Sequence, residues 1–150
     1  MFNWFKKKKA PSVRPTTDSV IGSFGDEQKA AMLYTLMIYS AANGHYDDKM
    51  IEYIDKQAAI IQFEMDSPIM EKQMQQKADY AYPKVAKFSK QQKDFYCGLL
   101  YGCMFLYRNP TEAEGQIATR ILEQAQIPMS QFTEIGMKLK AIHKNVNNWS

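Results

Sequence analysis

Residues 31–58 read AMLYTLMIYSAANGHYDDKMIEYIDKQA. The first twelve positions carry no charge and are mostly apolar. Asn43 and Gly44 stop that run, because Gly tolerates the positive φ that closes a helix. Asp47 or Asp48 then caps a second helix, and Met50, Ile51, Ile54, Ala58 and Ile61 return at helical spacing. The stretch predicts two helices joined by a polar turn. A weaker copy, GLLYGCMFLYRNPTEAEGQIATRILEQA, occupies residues 98–125. At an offset of 67, Leu33, Tyr34, Met37, Ile54, Gln57 and Ala58 meet Leu100, Tyr101, Met104, Ile121, Gln124 and Ala125. The copy predicts two pseudo-symmetric helical hairpins, each unable to cover its apolar face alone. Two ordinary amphipathic helix pairs share some of the same pattern.

Outward from this stretch the signals stay helical. Asp26 is expected to cap the first helix, whose apolar face runs through Ala30, Leu33, Met37 and Ala41, widened by Tyr34 and Leu36. Ser67-Pro68 starts a helix that buries Ile69, Met70, Met74 and Ala78 and ends before Pro83. Ser89-Lys90-Gln91-Gln92 and Thr111-Glu112-Ala113-Glu114 both have the form of a capping box. The first opens a strongly apolar helix through Phe95, Leu99, Leu100, Cys103 and Leu106. Ser130 is expected to cap the last helix, with Phe132, Ile135, Leu139, Ile142 and Val146 inside. No segment alternates with period two. The fold class expected is all-α, a bundle of six to seven helices over residues 26–150, preceded by a flexible tail at 1–25.

The chain of 150 residues is 45% hydrophobic and 23% charged, ordinary for a soluble globular domain. Its net charge of +3 is unevenly spread. Lys6, Lys7, Lys8, Lys9 and Arg14 stand in residues 1–15 with no acid, which leaves the rest of the chain at −2. A mildly acidic body argues against nucleic acid, and Lys84, Lys87, Lys90 and Lys93 read best as a solvated face. No apolar run reaches the length of a membrane span, and the lysines follow the first apolar residues, the wrong order for a signal peptide. Cys97 and Cys103 lie about 9 Å apart in rise on one helix, too far to pair, so they read as reduced thiols of a cytoplasmic protein. Of the ten methionines, most are expected to fill gaps in the core.

In the tail, Phe2, Trp4 and Phe5 stand beside Lys6, Lys7, Lys8 and Lys9. Aromatic rings favour the headgroup region, and each lysine near an anionic surface adds about 1 kcal/mol. The pattern allows reversible contact with the inner face of the membrane. A plain solvated tail reads from the same residues.

The turn Ser40-Ala41-Ala42-Asn43-Gly44-His45-Tyr46-Asp47-Asp48, continuing to Ile51 and Ile54, resembles the tellurite-resistance TerB-like family. The segment Ala125-Gln126-Ile127-Pro128-Met129-Ser130-Gln131-Phe132 is similar to the one before that family's last helix. The resemblance covers roughly residues 26–145. It implies an all-helical, stress-linked or membrane-proximal accessory domain, sometimes with an acidic metal site and without established catalysis. Asn43 stands where the family carries a loop acid, His45 where another is common, and the second turn has no Asp-Gly pair.

The acids at the two turns are Asp47, Asp48 and Glu52, then Glu112 and Glu114. Facing one another across a twofold axis, they would suit Ca²⁺, Mg²⁺ or Mn²⁺. The simpler reading is that they cap helix N-termini. His45 and His143 lack the Glu-x-x-His spacing of di-iron bundles, and no Cys/His spacing fits zinc. Two functions follow: a non-enzymatic protein-interaction domain held near a membrane, or a metal-dependent helical enzyme or metal sensor with its site at the two turns.

Overall fold

The computed structural model describes residues 15–105 and 108–146, with side chains placed over residues 19–105 and 108–141. Every regular element among the described residues is an α-helix. In order these are α1 Pro15–Gly22, α2 Asp26–Ser40, α3 Asp48–Ile60, α4 Pro68–Gln76, α5 Ala78–Ala86, α6 Lys90–Phe105, α7 Glu112–Gln124 and α8 Met129–Val146. The all-α expectation holds, and none of these helices is long and apolar enough to cross a membrane.

Helix α2 is the axis of the bundle. It packs against α3, α4, α5, α6 and α7. Its buried residues, Ala30, Ala31, Met32, Leu33, Thr35, Leu36, Tyr39 and Ser40, run right round the helix. A single apolar face was the expectation, but a helix apolar on all sides belongs inside. Met37 and Ala41, expected to face inward, are only half-buried. Thr35 sits fully buried because its hydroxyl bonds both Met32 O at 2.8 Å and the Tyr96 hydroxyl of α6. Those bonds remove the penalty of burying a polar group. Each fully buried Leu or Met adds roughly 1.5–3 kcal/mol.

Local signals set most helix starts. Asp47 Oδ1 accepts from Lys49 N at 3.0 Å and Met50 N at 3.1 Å. Ser67 caps α4 with Pro68 at its first position. Both capping boxes form: Ser89 with Gln92, and Thr111 with Glu114. Four expectations need correction. Asp26 lies inside α2; Gly25 precedes it, and Gln28 Oε1 accepts the Gly25 N–H at 2.8 Å. Ser130 likewise lies inside α8, which begins at Met129. Pro83 does not end a helix but sits within α5, while the break falls earlier, at Lys77. Met74, expected in the core, is 42% exposed.

The tail expected at 1–25 is shorter than the sequence suggested. Its last part is helix α1, and Phe24 is buried with its ring 5.2 Å from Phe88 and 5.6 Å from Phe95. The membrane-contact candidates Phe2, Trp4, Phe5, Lys6, Lys7, Lys8 and Lys9 lie outside the described residues, as do Leu106 and the side chains of Ile142, His143 and Val146.

Helix boundaries recur at a spacing of 64, three short of the register read from the sequence. Asp26 and Lys90 open α2 and α6; Asp48–Ile60 and Glu112–Gln124 coincide end to end. Phe24 and Phe88 precede them, equally buried. Gln28 and Gln92 close the same backbone N–H three residues upstream. Gln62 and Gln126 follow α3 and α7 with φ of 61° and 58°. Phe63 N then bonds Ala58 O at 2.8 Å, and Ile127 N bonds Leu122 O at 2.9 Å, the same Schellman closure at both ends. A slip of three is close to one helical turn, so apolar faces still coincide at 67.

Candidate functional site

The two turns that follow α2 and α6 meet at one buried carboxylate. The first turn bends at Gly44, whose φ is +101°, and Asp47 N bonds back to Ser40 O at 2.9 Å. This brings Asn43 and Asp47 to the start of α7. Glu114 there is only 1% exposed. Arg108 grips it with two parallel bonds, Nη1 to Oε1 at 2.8 Å and Nη2 to Oε2 at 2.7 Å. Thr111 N donates to Oε1 at 2.9 Å, and Asn43 Nδ2 donates to Oε2 at 2.7 Å. Four donors fill the carboxylate's roughly four acceptor sites. Arg108 Nη2 also reaches Asp47 Oδ2 at 3.4 Å, and Thr111 Oγ1 donates to Asn43 Oδ1 at 2.9 Å. Every residue of this set ties one turn to the other or holds one that does.

The electrostatics follow the geometry. Hydrogen bonds from Arg108 outweigh burial and hold the Glu114 carboxyl below its ordinary range. Tyr39 on α2 lies beside it with a buried hydroxyl that makes no well-formed hydrogen bond. Burial and the Glu114 charge push that hydroxyl's pKa up, so it stays protonated. The Cys103 thiol is pushed up to about 12 by burial, then by Asp47 and Glu114. Cys97 reaches about 12 chiefly by burial. Both cysteines are free, and neither supplies a thiolate nucleophile at neutral pH.

Of the five expected metal ligands, the fold brings together only Asp47 and Glu114. Asp48, Glu52 and Glu112 are exposed, and no three acids, histidines or cysteines among the described residues are grouped to hold an ion. The donor set does not fit a divalent cation. Glu114 has no unused acceptor site, and a guanidinium already occupies the space between the two acids. His45 is an exposed turn residue.

Arg108 is the residue that sequence reading missed. Its signal was faint: an arginine, in a chain rich in lysine, three positions before the Thr111 cap. A planar guanidinium meets a carboxylate in a fixed fork, which lysine cannot do. Its partner on the other turn, Asp47, could not be inferred from Arg108 alone.

Comparison with family models, with curated proteins and with solved structures finds no match to this chain.

Proposed function

We propose that this chain is a non-enzymatic interaction domain of TerB-like architecture, built as an internal repeat. One observation carries the reading. The buried and half-buried polar groups where the two turns meet are consumed within the set formed by Glu114, Arg108, Asp47, Asn43 and Thr111. Such a set fixes the angle between two helical pairs rather than presenting a reactive group. The 64-residue recurrence of caps, closures and buried positions supports the repeat, with the junction lying where the two equivalent turns face each other.

Some large apolar side chains are left facing outward. Tyr46, Ile60, Met74, Phe105, Met129 and Met137 are exposed, Met137 at 64%. Methionine adapts its shape to varied partners. In this reading the domain is a stress-linked accessory whose surface engages a protein partner. Residues 1–9 hold it reversibly on the anionic inner face of the membrane, in the cytoplasm.

The test pairs two measurements. Sedimentation with anionic liposomes compares the full chain with one lacking residues 1–9; equal partitioning of the two removes the membrane arm. Cross-linking in native cells compares the wild type with Met129→Lys/Met137→Lys. Loss of a specific cross-linked protein in the variant is expected, and an unchanged pattern rejects this apolar surface as the interface.

A further inference from the structure

Away from the two turns, three irregularities coincide at one place, the joint between α4 and α5. The first is backbone strain. Lys77 has φ 63° and ψ −159°, a region that belongs essentially to glycine. The second is an orphan acceptor. Gln73 is 1% exposed; its Nε2 donates to Lys77 O at 2.8 Å, while its Oε1 has neither a protein partner nor solvent contact. Buried polar atoms without a partner are few in a native protein and call for a reason. The third is a cleft of about 30 Å³ lined by Glu27, Ala30, Ile69, Lys72, Gln73 and Tyr80. Local rules fail together at sites that do something other than fold.

We propose that this cleft binds a primary ammonium group. The missing element is a hydrogen-bond donor for Gln73 Oε1. The acidic wall is Glu27, and the aromatic wall is Tyr80, whose face attracts cations. That ring already draws ammonium groups from its own chain. Lys84 Nζ lies 3.2 Å from its centroid and also donates to Tyr80 O at 3.2 Å; Lys72 Nζ lies 5.4 Å from the same centroid. Lys84 is thereby engaged twice. Lys72 is an exposed side chain on a flexible stem, and it is the resident that an incoming ammonium displaces. Rotation of the Gln73 carboxamide, which draws Nε2 away from Lys77 O, presents Oε1 to the cleft. A primary ammonium then has three N–H donors to share among Gln73 Oε1, the Glu27 carboxylate and the Tyr80 face. A quaternary ammonium has the charge and the π contact but no donor, so the orphan acceptor selects against it. This inference stands apart from the interaction-domain reading; neither depends on the other.

The experiment is a titration of the full ¹⁵N-labelled chain at constant ionic strength, followed by amide chemical shifts. The probes are methylammonium and tetramethylammonium. Saturable shifts centred on residues 27–30, 69–73 and 80 are expected with methylammonium, at roughly tenfold lower concentration than with tetramethylammonium. Glu27→Gln and Gln73→Met each weaken the methylammonium response roughly tenfold, and Lys72→Met strengthens it several-fold by removing the competitor. No saturable shift, equal response to both probes, or an unchanged response in Glu27→Gln overturns the site. Glu27 is exposed, so that variant decides the matter if Gln73→Met fails to fold. With binding in hand, N-acetyl-lysine amide against glycine amide separates a lysine side chain from a chain terminus as the source of the ammonium.

Discussion

Arg108 meets Glu114 through two parallel hydrogen bonds, yet the two partners differ in exposure: 33% of the arginine side chain is open to solvent against 1% of the glutamate. The pair is therefore a plug. The arginine seals a carboxylate that would otherwise sit buried with half of its donors lost. Removing one partner of a fully buried pair costs roughly 3–5 kcal/mol. Water entering at the exposed arginine lowers that figure here, so Arg108→Ala is expected to cost about 2–3 kcal/mol. Arg108→Met/Glu114→Leu, which removes both charges and keeps the volume, is expected to recover most of the loss. Urea unfolding of the wild type, Arg108→Ala and the double variant checks it; a double variant as unstable as Arg108→Ala would mean that the charges are not what the turns depend on.

The same carboxylate sets an acid limit. Its native pKa lies below the ordinary value of 4.5, so the folded state binds the Glu114 proton less readily than the unfolded one. The stabilisation is complete above that ordinary value and is lost as pH falls through the lowered native one. Melting temperature measured down to strongly acidic pH should fall over that window in the wild type. In Glu114→Gln this component of the slope should vanish, and the variant should start from a lower plateau at neutral pH.

How much of this was legible in the sequence depends on whether the cause is local. Ser67-Pro68, the Thr111–Glu114 box and the Asp47 cap act within four residues; the first two were read correctly and the third was narrowed to Asp47 or Asp48. Asp26 was misread because a neighbouring glycine can hold the extended cap backbone while Gln28 supplies the hydrogen bond. Pro83 was misread as a terminator because the local rule counts only the bond that proline forfeits, not the burial of Ala81 and Val85 on either side. The acids at the turns were identified, and the fold brings two of the five, Asp47 and Glu114, to one arginine. Their chemistry was not, since Arg108 belongs to the second turn and only the tertiary fold sets it between Glu114 and Asp47 of the first.

Two glycines are held by neighbours rather than by their own backbone. A Cβ on Gly102 would strike the Tyr53 hydroxyl and come within 2.9 Å of its ring carbon Cζ. That hydroxyl is anchored to Leu99 O at 3.1 Å. A Cβ on Gly136 would lie 2.5 Å from Tyr101 Cε2. Overpacking costs about 1–3 kcal/mol, against roughly 1 kcal/mol gained in helix propensity. Gly102→Ala and Gly136→Ala should each destabilise by about 1 kcal/mol in denaturant melts, whereas Gly98→Ala and Gly115→Ala, with open space at the Cβ, should stabilise.

The thiols of Cys97 and Cys103, buried and with pKa values pushed up to about 12, should ignore a thiol reagent in the native protein. With Ellman's reagent at pH 8, native protein is expected to release almost no colour over minutes. Both thiols should react at once in denaturant. A fast-reacting native thiol would show that α6 opens locally.

The strain at Lys77 is testable without any ligand. Its φ of 63° and ψ of −159° cost a non-glycine residue roughly 1–3 kcal/mol, and glycine adopts the same geometry freely. Glycine also gains freedom in the unfolded chain, worth roughly 0.5–1 kcal/mol in the opposite direction. Lys77→Gly should therefore stabilise by about 1 kcal/mol, read as a rise in the denaturation midpoint. Lys77→Ala removes the same charge and keeps the strain, so it should change little. If the two variants match, the charge rather than the backbone is responsible. If Lys77→Gly alone stabilises, the joint holds strain that a single-residue change could have removed, and that strain sits beside the orphan oxygen of Gln73.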